Sequence, residues 1–197
     1  ESVLIETEAY EKSGLDDDST FQEKIEFLKD KPWGVSSPEG SSVYMARYMF
    51  ELAGMSQDDF NANSLGSSSG TLAALQEQKV VAGSMGSPLP QVAEAEGYAK
   101  VFLDVTAGEV PELQNTLTSV VAVTPEFYEN NKDLVDDFRE ALAEAQSLVY
   151  NDSETVDEWM YENHFDGSPK EAVLAGVASQ RAGGSIAQQP EVDPEAA

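Results

Sequence analysis

The chain has 197 residues, 41% of them apolar, enough for one large domain or two small ones with an adequate core. Its 37 acidic residues against 11 basic ones leave a formal charge of −26, which makes nucleic acid and anionic membrane surfaces poor partners and marks a strongly solvated exterior. It has no cysteine, which excludes disulfides, thiolate metal ligands and a cysteine nucleophile but does not identify a compartment.

In chain order, residues 1–14 read as a helix with Val3, Leu4, Ile5 and Ala9 apolar and Gly14 as the stop. Asp16 to Thr20 form a polar break able to cap a second helix, Phe21 to Lys31, whose Phe21, Ile25 and Leu28 share a face before Pro32 ends it. A unit then occurs three times: a short apolar run, a Ser/Gly-rich loop and a helix. The first is Trp33-Gly34-Val35, the loop 36–42 and a helix from Val43 to Ala53. The second is Phe60 to Leu65, the loop 66–70 and a helix from Thr71 to Gln78. The third is Val80 to Gly83, the loop 84–88 and a helix from Leu89 to Glu96. Strands alternating with helices build a parallel sheet, and the strand-to-helix loops of such a sheet emerge on one edge, where ligands sit.

Lys100 to Val105 reads as a fourth strand, residues 106–117 as an aperiodic crossing segment, and the β-branched run Thr118 to Val123 as a strand. Thr124 and Pro125 are N-cap and first residue of the next helix. Lys132 to Tyr150 is the strongest helix, with Leu134, Val135, Phe138, Leu142, Ala145, Leu148 and Val149 as its apolar face. Asp152 to His164 follows, then a helix opened by Ser168-Pro169-Lys170-Glu171 and ended near Arg181 by Gly183-Gly184. From Gln188 onward the tail is Pro- and Glu-rich and expected to be loose. Residues 32–105 thus make a coherent α/β unit. The flanking helices need a sheet that residues 1–31 do not offer, so the chain is read as a fragment of a two-lobed protein or one whose missing strands come from a partner.

The candidate ligand-binding residues are Ser36, Ser37, Gly40, Ser41 and Ser42 in the first loop, Gly66, Ser67, Ser68 and Ser69 in the second, and Met85, Gly86 and Ser87 in the third. Ser41-Ser42 lead directly into a helix, whose free N–H groups and dipole favour an anionic group. Glu39 lies in the same loop, and no Lys or Arg lies in any of the three, which suits a neutral or weakly anionic group or a zwitterion. A purely structural role competes at each position: Ser41 as helix cap, Ser67–Ser69 as a flexible loop with an N-cap, and the third loop as a tight turn permitted by its glycine. Trp33 precedes the first strand and reads as hinge or core, and Arg47 as a surface ion-pair partner. His164 is the only histidine and has no catalytic or metal-ligand pattern around it. Gly66-Ser67-Ser68-Ser69-Gly70 matches the Gly-x-Ser-x-Gly string of a nucleophile elbow, a weak signal in a serine run. Catalytic residues, metal ligands and cofactors are all expected to be none.

The stretch from Phe27 to Ser42 resembles the start of the second lobe in the nitrate/sulfonate/taurine and thiamine-precursor group of ABC importer solute-binding proteins. Leu65-Gly66-Ser67-Ser68-Ser69 with Leu72-Ala73-Ala74-Leu75 is similar to that family's second binding loop and helix. Val80 to Ser84 is similar to its third strand, Val120 to Phe127 to the return to the first lobe, and Phe138 to Ala145 to the long helix after it. The ordered set covers residues 27–150. Family members are considerably longer, and many carry an acidic or aromatic residue beside the third-loop proline, where this chain has Ser84-Met85-Gly86-Ser87-Pro88.

The resemblance implies an α/β, type II periplasmic-binding-protein-like fold, with one complete parallel-sheet lobe and part of a second. It divides the chain into an N-terminal helical segment of lobe I (1–31), a ligand-binding lobe II (32–106), and a return segment with C-terminal helices of lobe I (107–197). It further implies a non-enzyme that captures a small organic solute (sulfonate, carboxylate, nitrate or pyrimidine-like) between lobes and delivers it to an ABC permease. The alternative is an enzyme on the same scaffold, of the thiamine-precursor or serine-hydrolase kind. No apolar run is long enough to cross a membrane and no signal peptide is visible. The chain starts at Glu1 without Met, so upstream residues are expected to have been removed or left out, and the location that the resemblance implies is periplasmic or extracytoplasmic. Membrane association is expected only through a lipid anchor, should an upstream segment carry one.

Overall fold

The computed structural model describes residues 1–114, 119–184 and 186–188. Five strands form one mixed sheet: β1 (Ser2–Glu6), β2 (Pro32–Val35), β3 (Asn61–Ser64), β4 (Ala82–Met85) and β5 (Ala99–Asp104), in the order β3-β2-β4-β1-β5. β2 runs parallel to both β3 and β4, and β1 runs antiparallel to both β4 and β5.

The helix expected over residues 1–14 is corrected: residues 2–6 are a strand, and only α1 (Thr7–Ser13) is helical, ended by Gly14. β1 is buried on both faces. Val3 and Ile5 enter one core cluster and Leu4 the other. A strand covered on both sides shows no polar alternation, so its apolar run carries neither the helical nor the half-buried strand period. Residues 1–31 therefore do contribute to the sheet that residues 32–104 build.

The helices follow the expected places. α2 (Phe21–Leu28) opens on a full capping box between Thr20 and Glu23. α3 (Ser41–Leu52), α4 (Ser68–Gln76) and α5 (Leu89–Ala95) follow β2, β3 and β4 in turn. α2 and α3 pack on one face of the sheet around Trp33, Phe50 and Phe60, and α4 and α5 on the other around Leu4, Leu75 and Met85. Trp33 is a core residue, its indole N–H donating to Ser84 Oγ at 2.9 Å. α4 lies unusually close to the sheet. A Cβ on Gly34 or Gly83, which pair across β2 and β4, would come within 2.8 and 2.5 Å of the Thr71 methyl.

Beyond β5 the chain builds a helical arm: α6 (Pro125–Asn130), α7 (Lys132–Asn151), α8 (Ser153–His164) and α9 (Lys170–Ala182). Thr124 caps α6 as expected, accepting from the Phe127 N–H. α9 begins after Pro169 without the side-chain cap expected from Ser168. α9 returns to pack on α5, and α8 packs on both α9 and α7. Arg181 and Asp157 lock α8 to α9 through a two-pronged ion pair at 2.5 Å, both side chains only 14% exposed. The strand expected over residues 118–123 is not formed at 119–123, and Thr118 lies outside the described residues. Val120, Val121 and Val123 are exposed there, and along α7 Leu134, Phe138 and Leu148 form an exposed stripe. The loose tail from Gln188 falls almost wholly outside the described residues as well.

Candidate functional site

Parallel register places the ends of β2 and β3 level, Val35 opposite Ser64, while Gly34 opposite Gly83 brings β4 into the same row. The three loops that follow therefore leave the sheet on one edge. Because β1 is antiparallel, its first residue pairs with both Met85 and Asp104, so the start of β1 and the end of β5 lie on that same edge. There the Val105 N–H donates to the Glu1 carbonyl at 3.2 Å, and the Glu1 amino group reaches Thr106 Oγ1 at 2.9 Å. The edge that carries the loops is thus also the edge where the chain enters and leaves the sheet.

In the first loop Ser36 and Gly40 are half-buried and Ser37 exposed. Gly40, not Ser41, is the N-cap of α3, and it offers no side chain to the first N–H groups of the helix. The capping role considered for Ser41 is therefore not taken up. Ser42 is 8% exposed, its hydroxyl has no hydrogen-bond partner among the described residues, and it sits 3.7 Å from the position a Gly40 side chain would occupy.

In the second loop the Leu65 N–H donates to the Val35 carbonyl at 2.8 Å, and Gly66 takes a left-handed conformation (φ +79°) that turns the chain into α4. Ser67 is the N-cap, accepting from the Gly70 N–H at 3.0 Å, so the structural role of this serine is real. Ser68 is half-buried and Ser69 exposed in the first turn of α4.

The third loop differs most from expectation. Ser84 and Met85 belong to β4. Met85, expected among the ligand-contact residues, ends β4 and is 3% exposed, with its side chain in the core beside Leu4 and Leu75. Gly86 is exposed, and the Ser87 carbonyl accepts from Gln180 Nε2 of α9 at 2.8 Å. A Cβ on Gly176 would come within 2.7 Å of Pro88, and one on Gly183 within 2.3 Å of the Thr106 methyl. α9 thus spans from the third loop to the outgoing crossing. The sequence reading missed its part at this edge, although Ala172, Gly176, Ser179 and Gly183 form a stripe of small residues at helical spacing.

Glu39 is the sole charged side chain of the three loops. No group of three or more His, Asp or Glu is placed to hold a metal among the described residues. His164 ends α8 and packs edge-on against Trp159, with ring centroids 5.3 Å apart. No helix among the described residues is long and apolar enough to cross a membrane.

Comparison with known proteins gives one family: the NMT1-like family matches residues 4–160. No curated protein sequence matches. Among solved structures, the chain resembles the alkanesulfonate-binding protein SsuA from Xanthomonas axonopodis pv. citri (17% identity, TM-score 0.66, 90% of this chain and 54% of that one). It also resembles the periplasmic aliphatic sulphonate binding protein SsuA from Escherichia coli (16%, TM-score 0.64, 90% and 54%). A third is the periplasmic nitrate-binding protein NrtA from Synechocystis PCC 6803 (14%, TM-score 0.62, 88% and 44%). The fold is that of periplasmic binding proteins, and the chain spans about half the length of the solved structures it matches.

Proposed function

The chain belongs to the NMT1-like family, and on that footing we propose that it carries one wall of the solute-binding cleft of an ABC importer's capture protein. The observation that carries the reading is the shared edge: three serine-bearing loops open beside the two points where the chain crosses into and out of the sheet. A cleft between hinged lobes needs that coincidence, because the hinge must flank the ligand.

The sheet unit of residues 2–104 is the binding lobe, and residues 119–164 belong with a complementary lobe. The unpaired run 119–123 and the exposed stripe of α7 support that assignment. The solute's polar group is held by the free N–H groups at the start of α3 and by the hydroxyls of Ser37, Ser41, Ser42, Ser68 and Ser69. Gly66, Ser67, Gly86 and Ser87 shape the wall through their backbone. Closure is a population shift driven by contacts to both walls, and the closed form is what the permease reads. The solute is a small sulfonate, carboxylate, nitrate or pyrimidine-like molecule, captured outside the cytoplasm without covalent change.

The test is calorimetry on the longest natural gene product against alkanesulfonates, carboxylates, nitrate and an aminopyrimidine. Saturable binding of one class is expected, weakened about tenfold or more when Ser42→Ala and Ser68→Ala are combined, with the solute recovered intact. Failure of all four classes to bind, or chemical conversion of the solute that stops with Ser68→Ala, would overturn the reading.

A further inference from the structure

The third loop is the least supported of the three. Gly86 is exposed, and a Cβ there would meet nothing within 4 Å. Neither its N–H nor that of Ser87 has an acceptor among the described residues, and Pro88 after them has no N–H to give. Among those residues one hydrogen bond holds the pair. Gln180 Nε2 of α9, 93 residues away in the chain, donates to the Ser87 carbonyl at 2.8 Å. The other two loops hold themselves. In the first the Gly40 N–H donates to the Ser37 carbonyl at 3.3 Å, and in the second the Gly70 N–H donates to Ser67 Oγ at 3.0 Å.

α9 does not depend on that bond for its own seat. Val173 and Val177 bury it, Gly176 lies against Pro88 one turn before Gln180, and Arg181 grips Asp157 of α8. A contact that one partner can spare, and that is the other's sole tether, acts on the less stable partner. Two N–H groups grip a solute well only if they are aimed beforehand, because ordering a loose loop on binding subtracts from affinity.

We propose that Gln180 is a positioning residue of the solute wall: it fixes the Ser87 carbonyl and so aims the free N–H groups of Gly86 and Ser87 at the solute. The proposal rests on the reading of the third loop as part of that wall. It brings a helix of the C-terminal arm into the binding apparatus, since the turn of α9 that steadies the loop also carries α8 through Arg181.

Gln180→Met keeps the length and helix preference of the side chain and removes the donor, and Gln180→Lys puts a donor back. Backbone nitrogen relaxation of the whole chain reads the loop. Order parameters of Gly86 and Ser87 should be about 0.85 in the parent, fall to about 0.6 in Gln180→Met and recover in Gln180→Lys, with one melting temperature for all three. Calorimetry with ethanesulfonate, propanoate, nitrate and aminopyrimidine reads the wall. A probe that binds the parent should bind Gln180→Met about tenfold more weakly and Gln180→Lys like the parent. Unchanged loop order in Gln180→Met, equal loss in both variants, or a lowered melting temperature without loss of loop order overturns the proposal. Loop order that falls and recovers while a bound probe keeps its affinity also overturns it, leaving Gln180 a tether outside the solute wall. Failure of every probe to bind the parent counts against the functional reading, and the relaxation result then decides the tether alone.

Discussion

At Gly83 a single hydrogen decides how closely a helix can sit. Its missing side chain and that of Gly34 leave room for the Thr71 methyl, which brings α4 down onto β2 and β4. Gly83→Ala should cost about 2 kcal/mol of stability in urea melts, since the added methyl has nowhere to go in a close-packed layer. Thr71→Ser removes the opposing methyl while keeping the hydroxyl that donates to the Ser67 carbonyl. The double variant should therefore be more stable than the two single losses sum to, by about 1 kcal/mol. Simple additivity would show that the two positions do not touch. Residue by residue, the serine-bearing loops and the core placement of Trp33 were legible from types and spacing. Met85 was not, because a strand end and a loop start look alike in sequence, and only pairing with β1 draws it into the core. Nor was the choice of Gly40 over Ser41 as cap, which depends on where β2 stops rather than on which residue caps better.

Among the elements, the α2 start offers a pH test. Glu23 has its carboxyl pulled below the ordinary value of 4.5, first by the Thr20 hydroxyl and then by the Thr20 backbone N–H. A carboxyl depressed in the folded state stabilises above its unfolded pKa, and that contribution disappears as pH falls through the depressed value. Hydrogen exchange at the Glu23 and Lys24 amides should therefore speed up relative to mid-helix amides on acidification below about 4.5. Amides whose relative protection ignores pH across that range would show that the capping box does not hold α2. Elements with their own local signals were readable: the box at Thr20, the Thr124-Pro125 start, the long period of α7. β1 and the 119–123 run failed for opposite reasons. β1 was misread because burial on both faces erased its period, and 119–123 because β-branched residues need a neighbouring strand to become one.

For the whole molecule, the helical arm is where sequence and surroundings disagree. Leu134 and Phe138 are 56% and 50% exposed along a helix whose pattern demands an apolar neighbour. Replacing both with Asp should change the melting free energy of the chain as given by no more than about 0.5 kcal/mol, because little contact is lost. The same exchange at Val173, fully buried on α9, should abolish cooperative unfolding. Comparable damage from the two would mean the α7 stripe is already covered. The overall α/β plan and the shared edge followed from alternation of strand and helix, a rule of connectivity that survives without any contact being known.

The seating of α9 has one more consequence. Gly176 against Pro88 and Gly183 against Thr106 pin a rod at two places about two turns apart. A rod held so keeps a single easy freedom, twist about the line joining the pins. The tilt of everything carried on it is fixed where two hydrogen atoms stand in for side chains. A wedge as small as one methyl at the first pin would reset how wide the whole arm stands from the serine edge.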